Sequence, residues 1–157
     1  MAIRTAQEKD IPRLLALLTQ VDMVHHGGRP DLFRGPATKY TDRQLRELLQ
    51  DSRRPVFVWT DGSGTVMGYA FCIFQQHIGD NVLTDILTLY IDDLCVDENA
   101  RGRRIGTQLY EHVLSFAREK GCYNVTLNVW AFNEDALAFY RKRGLRPQKI
   151  GMEKILC

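Results

Sequence analysis

The alternation of hydrophobic and polar positions along the chain predicts strands and helices that follow one another. Apolar, β-prone runs predict strands, which we place at residues 2–5, 56–60, 66–74, 87–96, 124–129 and 152–156. Apolar positions three and four residues apart predict helices, which we place at residues 11–24, 42–49, 107–120 and 134–143. The order β-α-α-β-β-β-α-β-α-β predicts an α/β fold with a mixed sheet, and we expect one domain over residues 1–157.

Capping and turn residues mark the ends of several of these elements. Asp10 is expected to cap the first helix, and Thr41 begins a capping-box sequence before the second. The Asp-Gly-Ser-Gly sequence at 61–64 predicts a hairpin between the second and third strands. Gly121 and Gly144 are expected to end the last two helices in the left-handed conformation.

The composition is that of an ordinary soluble globular domain, with 45% hydrophobic and 25% charged residues. A formal net charge of +2 implies no broad basic surface, so we expect no nucleic-acid partner. No apolar run approaches about 18 residues and no signal-peptide pattern follows Met1, so we expect no membrane association. The 4 cysteines stand apart, without a metal-ligand pattern. This favours reduced thiols in a cytoplasmic protein, and we expect no metal site.

Residues 97–106 have the character of an anion-binding loop. They form a charged turn between the strand at 87–96 and the helix that follows. A helix N-terminus presents free backbone N–H groups, and Arg101, Arg103 and Arg104 add charged donors. The loop is neither a Walker loop nor a dinucleotide fingerprint, because it contains neither of those glycine patterns. These features predict a binding site for a pyrophosphate group.

Two segments resemble the signatures of the GNAT N-acetyltransferase superfamily. Residues 101–106 resemble its acetyl-CoA loop, Gln/Arg-x-x-Gly-x-Gly/Ala, with Arg104 where the family usually has its first glycine. Residues 133–145 resemble its second signature, Asn-x-x-Ala-x-x-x-Tyr on a helix that ends in Gly-Leu. The run from Tyr90 to Gly144 is especially similar to the diamine and polyamine acetyltransferases, which carry an acidic pair before the loop.

The resemblance implies an enzyme that transfers the acetyl group of acetyl-CoA to a primary amine by direct attack. A small amine or a polyamine is the expected acceptor. A protein N-terminus, a lysine or an aminoglycoside is the alternative acceptor. Two alternatives belong to a different class of function. One is a CoA-binding module without catalysis, and the other is nucleotide binding through the arginine-rich loop. The resemblance also implies a mostly antiparallel sheet flanked by helices, and we expect a homodimer.

Asp92 and Asp93 interrupt an otherwise apolar strand. Successive strand residues face opposite sides, so we expect one of the two carboxylates at most to point into a given cleft. The resemblance favours Asp92, which stands at the family's usual glutamate position. An alkylammonium ion with a pKa of about 10.4 must lose a proton before it can attack a thioester. A carboxylate can attract that cation and accept the proton, directly or through water.

By resemblance, Tyr140 protonates the departing CoA thiolate, and a backbone N–H of Leu94 or Cys95 after a strand bulge binds the oxyanion. The strand beyond the acidic pair would offer its backbone to the pantetheine amides, and Asn133 caps the next helix and reaches the same chain. The positions expected to bind acetyl-CoA are Leu94, Cys95, Val96, Arg101, Gly102, Arg103, Arg104, Ile105, Gly106, Thr107, Asn133, Ala136 and Tyr140.

The Gly- and Pro-rich connection after the first helix is expected to cover the acceptor, as the equivalent connection does in the family. A plain surface connection is the alternative. The candidate acceptor-binding residues are His26, Arg29, Asp31, Phe33 and Asp92. Acidic residues from Asp85 to Asp93 favour a cationic acceptor, whereas Arg29 and Arg34 would suit a carboxylate, and the sequence leaves this conflict open.

Overall fold

The computed structural model describes residues 1–100 and 102–157. Its strands are β1 (Ala2–Thr5), β2 (Val56–Thr60), β3 (Val66–Gln75), β4 (Thr88–Val96) and β5 (Asn124–Leu127). Its α-helices are α1 (Ile11–Gly28), α2 (Asp42–Leu48), α3 (Ile105–Glu119) and α4 (Glu134–Lys142). Short 3-10 turns at Glu8–Asp10 and Glu98–Ala100 precede α1 and the loop before α3.

The five strands form one sheet in the order β1-β2-β3-β4-β5. The first four strands pair antiparallel, and β5 pairs parallel to β4 after the crossover through α3. This confirms the predicted α/β fold with a mixed, mostly antiparallel sheet. The β4–β5 pairing runs only from Thr88↔Asn124 to Ile91↔Leu127, while β4 continues to Val96. The edge of β4 over residues 92–96 therefore has no β5 partner, and we call the region beside this edge the cleft.

Each face of the sheet has its own hydrophobic core. Leucines of α1 and α2, with Tyr69, Phe71 and Cys95 of the sheet, form the core on one face. Ile105 and Leu109 of α3 belong to the core on the other face. The two cores fix β3 and β4 from both sides, so they position the cleft at the end of β4.

A β-bulge interrupts the pairing of β3 with β4. Phe71 lies opposite Asp93 and Cys72 lies opposite Ile91, which leaves Asp92 as an extra residue. A bulge of this kind places two residues of one strand against one of its partner and shifts the alternation of faces. Accordingly, Ile91 before the bulge and Leu94 after it both belong to the α3 face, although they are three residues apart.

Local signals placed most element ends correctly. The Thr41 capping box forms, the 61–64 turn joins β2 to β3, and Gly121 and Gly144 have φ of 75° and 90°. Asp10 stands at the N-cap position of α1, but its carboxylate bonds the backbone N–H of residue 7 and the guanidinium of residue 4 instead of capping the helix.

The predicted end of α1 near Val24 is wrong, because the helix continues to Gly28. The reason is tertiary packing. His25 contacts Phe33 and Phe132, and a Cβ added at Gly28 would lie 2.1 Å from the Phe132 ring. The glycine that weakens a helix locally is thus the residue that lets a distant aromatic ring pack against it.

The strand predicted at 152–156 is not formed. Residues 145–157 have no regular secondary structure, and β5 has one neighbouring strand, β4, in the described part of the chain. Ile150, Met152 and Leu156 are 79%, 91% and 92% exposed. A strand needs a partner as well as a β-prone sequence, and this segment lies without one.

Candidate active site

The bulge places both carboxylates of the acidic pair on the α1–α2 face of the sheet. Asp92 accepts hydrogen bonds from Lys39 Nζ and from the Tyr40 hydroxyl, each at 2.9 Å. Asp93 accepts a hydrogen bond of 2.7 Å from the hydroxyl of Tyr69, which belongs to the core on that face. The expectation that the two side chains face opposite sides is therefore wrong, because regular alternation does not hold across a bulge.

The environment of Asp93 raises its affinity for a proton. Burial raises the pKa of Asp93 to about 6, with a further contribution from the charge of Asp92, against the hydrogen bond from Tyr69 and the charge of Lys39. A carboxylate with this pKa is ionised at neutral pH, yet it accepts a proton more readily than an ordinary aspartate. Burial and the Asp92 charge likewise raise the pKa of Tyr40 to about 12, so Tyr40 stays a donor.

Tyr140 approaches the acidic pair from α4. Its ring packs edge-to-face with Phe139 and Tyr110, at centroid distances of 5.1 and 6.3 Å. Burial raises the pKa of Tyr140 well above that of an ordinary phenol, and the nearby Asp93 charge adds to the rise. Asn133 begins this helix, because its side chain accepts a hydrogen bond from Ala136 N at 3.2 Å, as predicted for a cap. Tyr140 is thus held as a protonated phenol close to Asp93.

The start of α3 presents unsatisfied backbone donors. Its first backbone hydrogen bond within the helix runs from Gln108 N to Arg104 O, at 3.0 Å. The N–H groups of residues 105–107 lie in the first turn and therefore have no partner within the helix. No side chain of the described residues caps this end of the helix either. Arg103 and Arg104 are exposed beside them. Arg101, which was predicted to join this group, lies outside the described residues.

Two residues of this loop have a left-handed backbone conformation. Gly102 has φ of 87°, which glycine adopts without cost, and Arg104 has φ of 60° and ψ of 23°. A non-glycine residue in this left-handed region is strained by about 1–2 kcal/mol. The glycine that the family usually has here is therefore explained by the backbone, and its replacement by Arg104 adds charge at the expense of strain.

Close packing joins the loop to α4. A Cβ on Gly106 would lie 3.3 Å from the Phe139 ring and 3.5 Å from Val96. Arg143 stacks on that ring at 3.7 Å and donates a hydrogen bond to the Thr107 hydroxyl. The buried Nε of Arg143 has no hydrogen-bond partner among the described residues. Sequence reasoning missed this cation, whose signal was the basic end of the last helix.

Beyond the bulge, β4 has a free edge toward the cleft. Leu94, Cys95 and Val96 pair with β3 on one side, and the pairing with β5 has already ended at Ile91. The thiol of Cys95 is buried on the α1 face, where its sulfur lies 3.7 Å from the carbonyl oxygen of Leu17. The Cys95 side chain therefore lies on the face of the sheet opposite α3.

Aromatic side chains lie together beyond the end of β5. Phe33 stacks edge-to-face with Trp130 at 5.1 Å, Trp130 lies 6.1 Å from Phe132, and His25 lies 5.0 Å from Phe33. Burial and the charge of Lys39, which pairs with Asp92, lower the pKa of His25. Lys39 therefore lies close both to this aromatic group (His25, Phe33, Trp130 and Phe132) and to the acidic pair. Of its members, only Phe33 was predicted from the sequence, although residues 130–132 directly follow the strand beside the cleft.

The other predicted acceptor-binding residues hold the loop together. His26 Nδ1 lies 2.7 Å from the carbonyl oxygen of Phe33. Arg29 pairs with Asp31 at 2.8 Å and also with Glu153 of the C-terminal segment. Arg29 and Asp31 thus neutralise each other in this structure, while Phe33 and Asp92 are the predicted residues that lie by the cleft.

Metal, disulfide and membrane features are not seen in residues 1–100 and 102–157. No cluster of three or more His, Cys, Asp or Glu side chains there could hold a metal ion. No disulfide joins the described cysteines, Cys72, Cys95, Cys122 and Cys157. Among the described helices, none has the length and apolar character needed to cross a membrane.

Comparison with known proteins is consistent with this geometry. Residues 4–145 match the family model described as the acetyltransferase (GNAT) family. Glucosamine 6-phosphate N-acetyltransferases of Arabidopsis thaliana and Trypanosoma brucei brucei are 32% and 39% identical over 65 and 63 residues. These stretches cover 41% and 40% of the chain, and 42% and 41% of the relatives, so the chain spans less than half the length of the curated relatives it matches.

A solved structure extends the likeness over the whole chain. The BH1408 protein of Bacillus halodurans, crystallised as a single-residue mutant, has a TM-score of 0.95 and 32% sequence identity, and the match covers 100% of both chains. With the family match over residues 4–145, this shows that the chain belongs to the acetyltransferase (GNAT) family.

Proposed function

We propose that the protein transfers the acetyl group of acetyl-CoA to the nitrogen of a primary amine by direct attack. The observation that carries the proposal is the arrangement at the bulge in β4. Two carboxylates there share one face of the sheet, burial raises the pKa of Asp93 to about 6, and a protonated tyrosine lies close to it. Family membership supplies acetyl-CoA as the acetyl donor.

The start of α3 is suited to the pyrophosphate of acetyl-CoA. The N–H groups of residues 105–107 have no helical partner, and anions bind such helix ends through their partial positive charge. Arg103, Arg104 and Arg143 add positive charge around them. The free edge of β4 at Leu94 and Val96 is suited to the amides of the pantetheine chain. These features support the predicted cofactor site, with Arg143 as an addition.

The two carboxylates suit different tasks. Asp92, with Tyr40, is placed to bind a primary ammonium ion, as it binds the Lys39 ammonium in this structure. Asp93 is placed to take the proton, because its pKa of about 6 lies closer to the pKa of the amine than that of an ordinary aspartate. The sequence-based choice of Asp92 as the base stays a prediction. The burial of Asp93, which raises its pKa, supports Asp93 as the base and Asp92 as the residue that binds the ammonium ion.

Tyr140 is placed to assist the leaving group. An ordinary phenol and thiol have pKa values of about 10 and 8.5. The raised pKa of Tyr140 makes full transfer to a thiolate uphill, so its hydrogen bond to the sulfur is most useful while the C–S bond is breaking. The backbone N–H of Leu94, just past the bulge, is our candidate for binding the oxyanion.

The charges of the cleft favour a cationic acceptor, a small amine or a polyamine. Lys39, which pairs with Asp92, also lies near enough to His25 of the aromatic group to lower its pKa, and aromatic rings bind ammonium groups through cation–π contact. Arg29, which could have bound an anion, is engaged by Asp31 and Glu153. The matched relatives are named for glucosamine 6-phosphate, whose phosphate would meet a largely acidic site here. That sugar phosphate is the second candidate acceptor.

One experiment tests both the activity and the acceptor class. Purified protein with acetyl-CoA is given a panel of amines, and release of the free CoA thiol is followed. The panel contains polyamines, monoamines, glucosamine 6-phosphate, an aminoglycoside and a lysine peptide. We expect the fastest release with a small amine or polyamine. CoA binding without release on any amine would instead indicate a non-catalytic binding module.

We also propose that the protein is a cytoplasmic homodimer in which each chain contributes its C-terminal segment to the other. A groove of about 1420 Å³ lies between β5 and residues 144–151 of the same chain. β5 offers an edge to an added strand, and the exposed apolar residues Ile150, Met152 and Leu156 would be covered by it. The described cysteines form no disulfide, which favours a reducing compartment. Light scattering of the full chain, and of a chain ending at residue 148, tests the dimer.

A further inference from the structure

The chain places one of its own primary amines on the site proposed for the acceptor. Lys39 belongs to the connection between α1 and α2, and its Nζ lies 2.9 Å from Asp92 Oδ1. The Lys39 side chain is 45% exposed, whereas the Asp92 side chain is 13% exposed. The ammonium therefore enters the cleft from solvent and meets a mostly buried carboxylate.

The Lys39 ammonium is close to the whole acidic pair. Its charge is among the causes that lower the pKa of Asp93, in opposition to burial. Asp93 in turn contributes to the raised pKa of Tyr140. Lys39, Asp93 and Tyr140 thus form a continuous series of neighbours, which are the amine, the proposed base and the proposed acid. No other residue type in proteins supplies a primary alkylamine on so long and flexible a stem.

We propose that the protein acetylates its own Lys39 when no other amine is bound. This inference rests on the proposed acetyl transfer to amines. Lys39 gives one ammonium proton to Asp93, and its nitrogen lone pair attacks the thioester carbonyl carbon of acetyl-CoA. The N–C bond forms and the C–S bond breaks. A second proton leaves the nitrogen as the amide forms, and the CoA thiolate takes up one proton. The products are Nε-acetyl-Lys39 and free CoA.

The modification would change the charge of the site. An acetylated Lys39 is neutral, so it no longer provides the cation that pairs with Asp92. An acceptor ammonium then has no internal competitor for that carboxylate. Because each chain has one Lys39, the reaction without acceptor stops after one acetyl group per chain.

The test is incubation of the purified full-length protein with acetyl-CoA and no added amine. Intact mass and peptide mapping follow the label over time, against the protein before incubation. We expect one added acetyl group per chain at Lys39, at a first-order rate that does not depend on protein concentration. Exposed Lys9 serves as the comparator within the same molecule, because non-enzymatic acetylation would label both lysines. We expect Lys39 to react at least 10-fold faster than Lys9.

Two variants and one competitor locate the chemistry. Lys39→Arg keeps a cation near Asp92 but cannot form acetyl-lysine, so the fast label should vanish. Tyr140→Phe should slow labelling of Lys39 and leave labelling of Lys9 unchanged. An accepted amine from the panel should suppress labelling of Lys39 in proportion to its occupancy. Thermal melting of each variant verifies that it is folded.

The amine panel, run in parallel, separates the two possible failures. Turnover of a panel amine with Lys39 labelled no faster than Lys9 overturns the inference and leaves the proposed function standing. A label on Lys39 that depends on protein concentration also overturns it, because it then passes between molecules. Absence of both turnover and label overturns the proposed function and the inference together.

Discussion

Changing Asp93 to Asn is expected to stabilise the folded protein at neutral pH. The folded-state pKa of Asp93 is raised from 3.8 to about 6, mainly by burial. The unfolded chain therefore ionises this carboxylate more easily than the folded chain. The difference corresponds to up to about 3 kcal/mol of unfolding free energy, because one pKa unit is about 1.4 kcal/mol. Asn has nearly the same shape, and its side-chain oxygen can still accept the hydrogen bond from Tyr69.

The sign and the pH window of this effect follow from the raised pKa. Below about pH 4 both states carry protonated Asp93, so the carboxylate brings no cost. As the pH rises from about 4 to about 6, the unfolded state releases the proton first, and the wild-type protein loses stability relative to the variant. Above about pH 6 the gain of Asp93→Asn should reach its full value. For a domain of this size, 3 kcal/mol is on the order of 6–12 °C in Tm.

Urea unfolding of both proteins between pH 4 and pH 8 measures this difference directly. Asp92→Asn is the matched control, since it removes the neighbouring carboxylate and loses the ion pair with Lys39. We expect no comparable gain from it. A gain for Asp93→Asn that is the same at every pH, or a loss that grows with pH, would refute the role of buried charge. In the amine assay, Asp93→Asn should lower kcat by about 10²–10⁴-fold, the usual contribution of a general base, with partial rescue toward pH 9.5.

Further predictions concern three other residues of the site. Asp92→Asn should raise KM for a cationic amine by about 10- to 100-fold with a smaller change in kcat, because a hydrogen bond to a charged group contributes about 1.5–3 kcal/mol; an effect on kcat alone would contradict ammonium binding. Tyr140→Phe should lower kcat by about 10²-fold and change acetyl-CoA affinity little, as titration calorimetry can measure; unchanged turnover would leave water as the acid. Arg104→Gly should stabilise the fold by about 1 kcal/mol, because glycine adopts the left-handed conformation found there without strain. Arg103→Gly is its control, and weaker CoA binding by the Arg104 variant would identify Arg104 as a phosphate ligand.

The elements that depend on local signals could be predicted from the sequence. The hairpin at 61–64, the capping box at Thr41 and the cap at Asn133 all follow from short-range hydrogen bonds that a few residues determine. The loop before α3 was found because arginines and glycines stand together at the start of an amphipathic helix. In these cases the residues that make the structure are neighbours along the chain.

Features that depend on distant partners could not be predicted. The last four residues of α1 depend on Phe132, about 100 residues away, and the segment 152–156 has strand-forming residues but no neighbouring strand. The resemblance implied a bulge in this strand, but its position could not be seen in the sequence, because the number of residues between two paired positions is fixed by both strands together. The position of Asp92 and Asp93 on the same face was therefore not predicted. The burial that raises the pKa of Asp93 was not predicted either.

The extra residue in β4 lies between two parts of the strand that contact the same two cores. Leu89 and Ile91 before it, and Leu94 and Val96 after it, pack on the α3 face, while Cys95 packs on the α1 face. Deleting either aspartate would make Ile91 and Leu94 two residues apart, the spacing at which a regular strand places both on one face. The pairing with β3 and the packing of Leu94, Cys95 and Val96 would therefore be preserved, while only one carboxylate would remain on the α1–α2 face. The bulge thus adds a second carboxylate to that face at no change in the two cores.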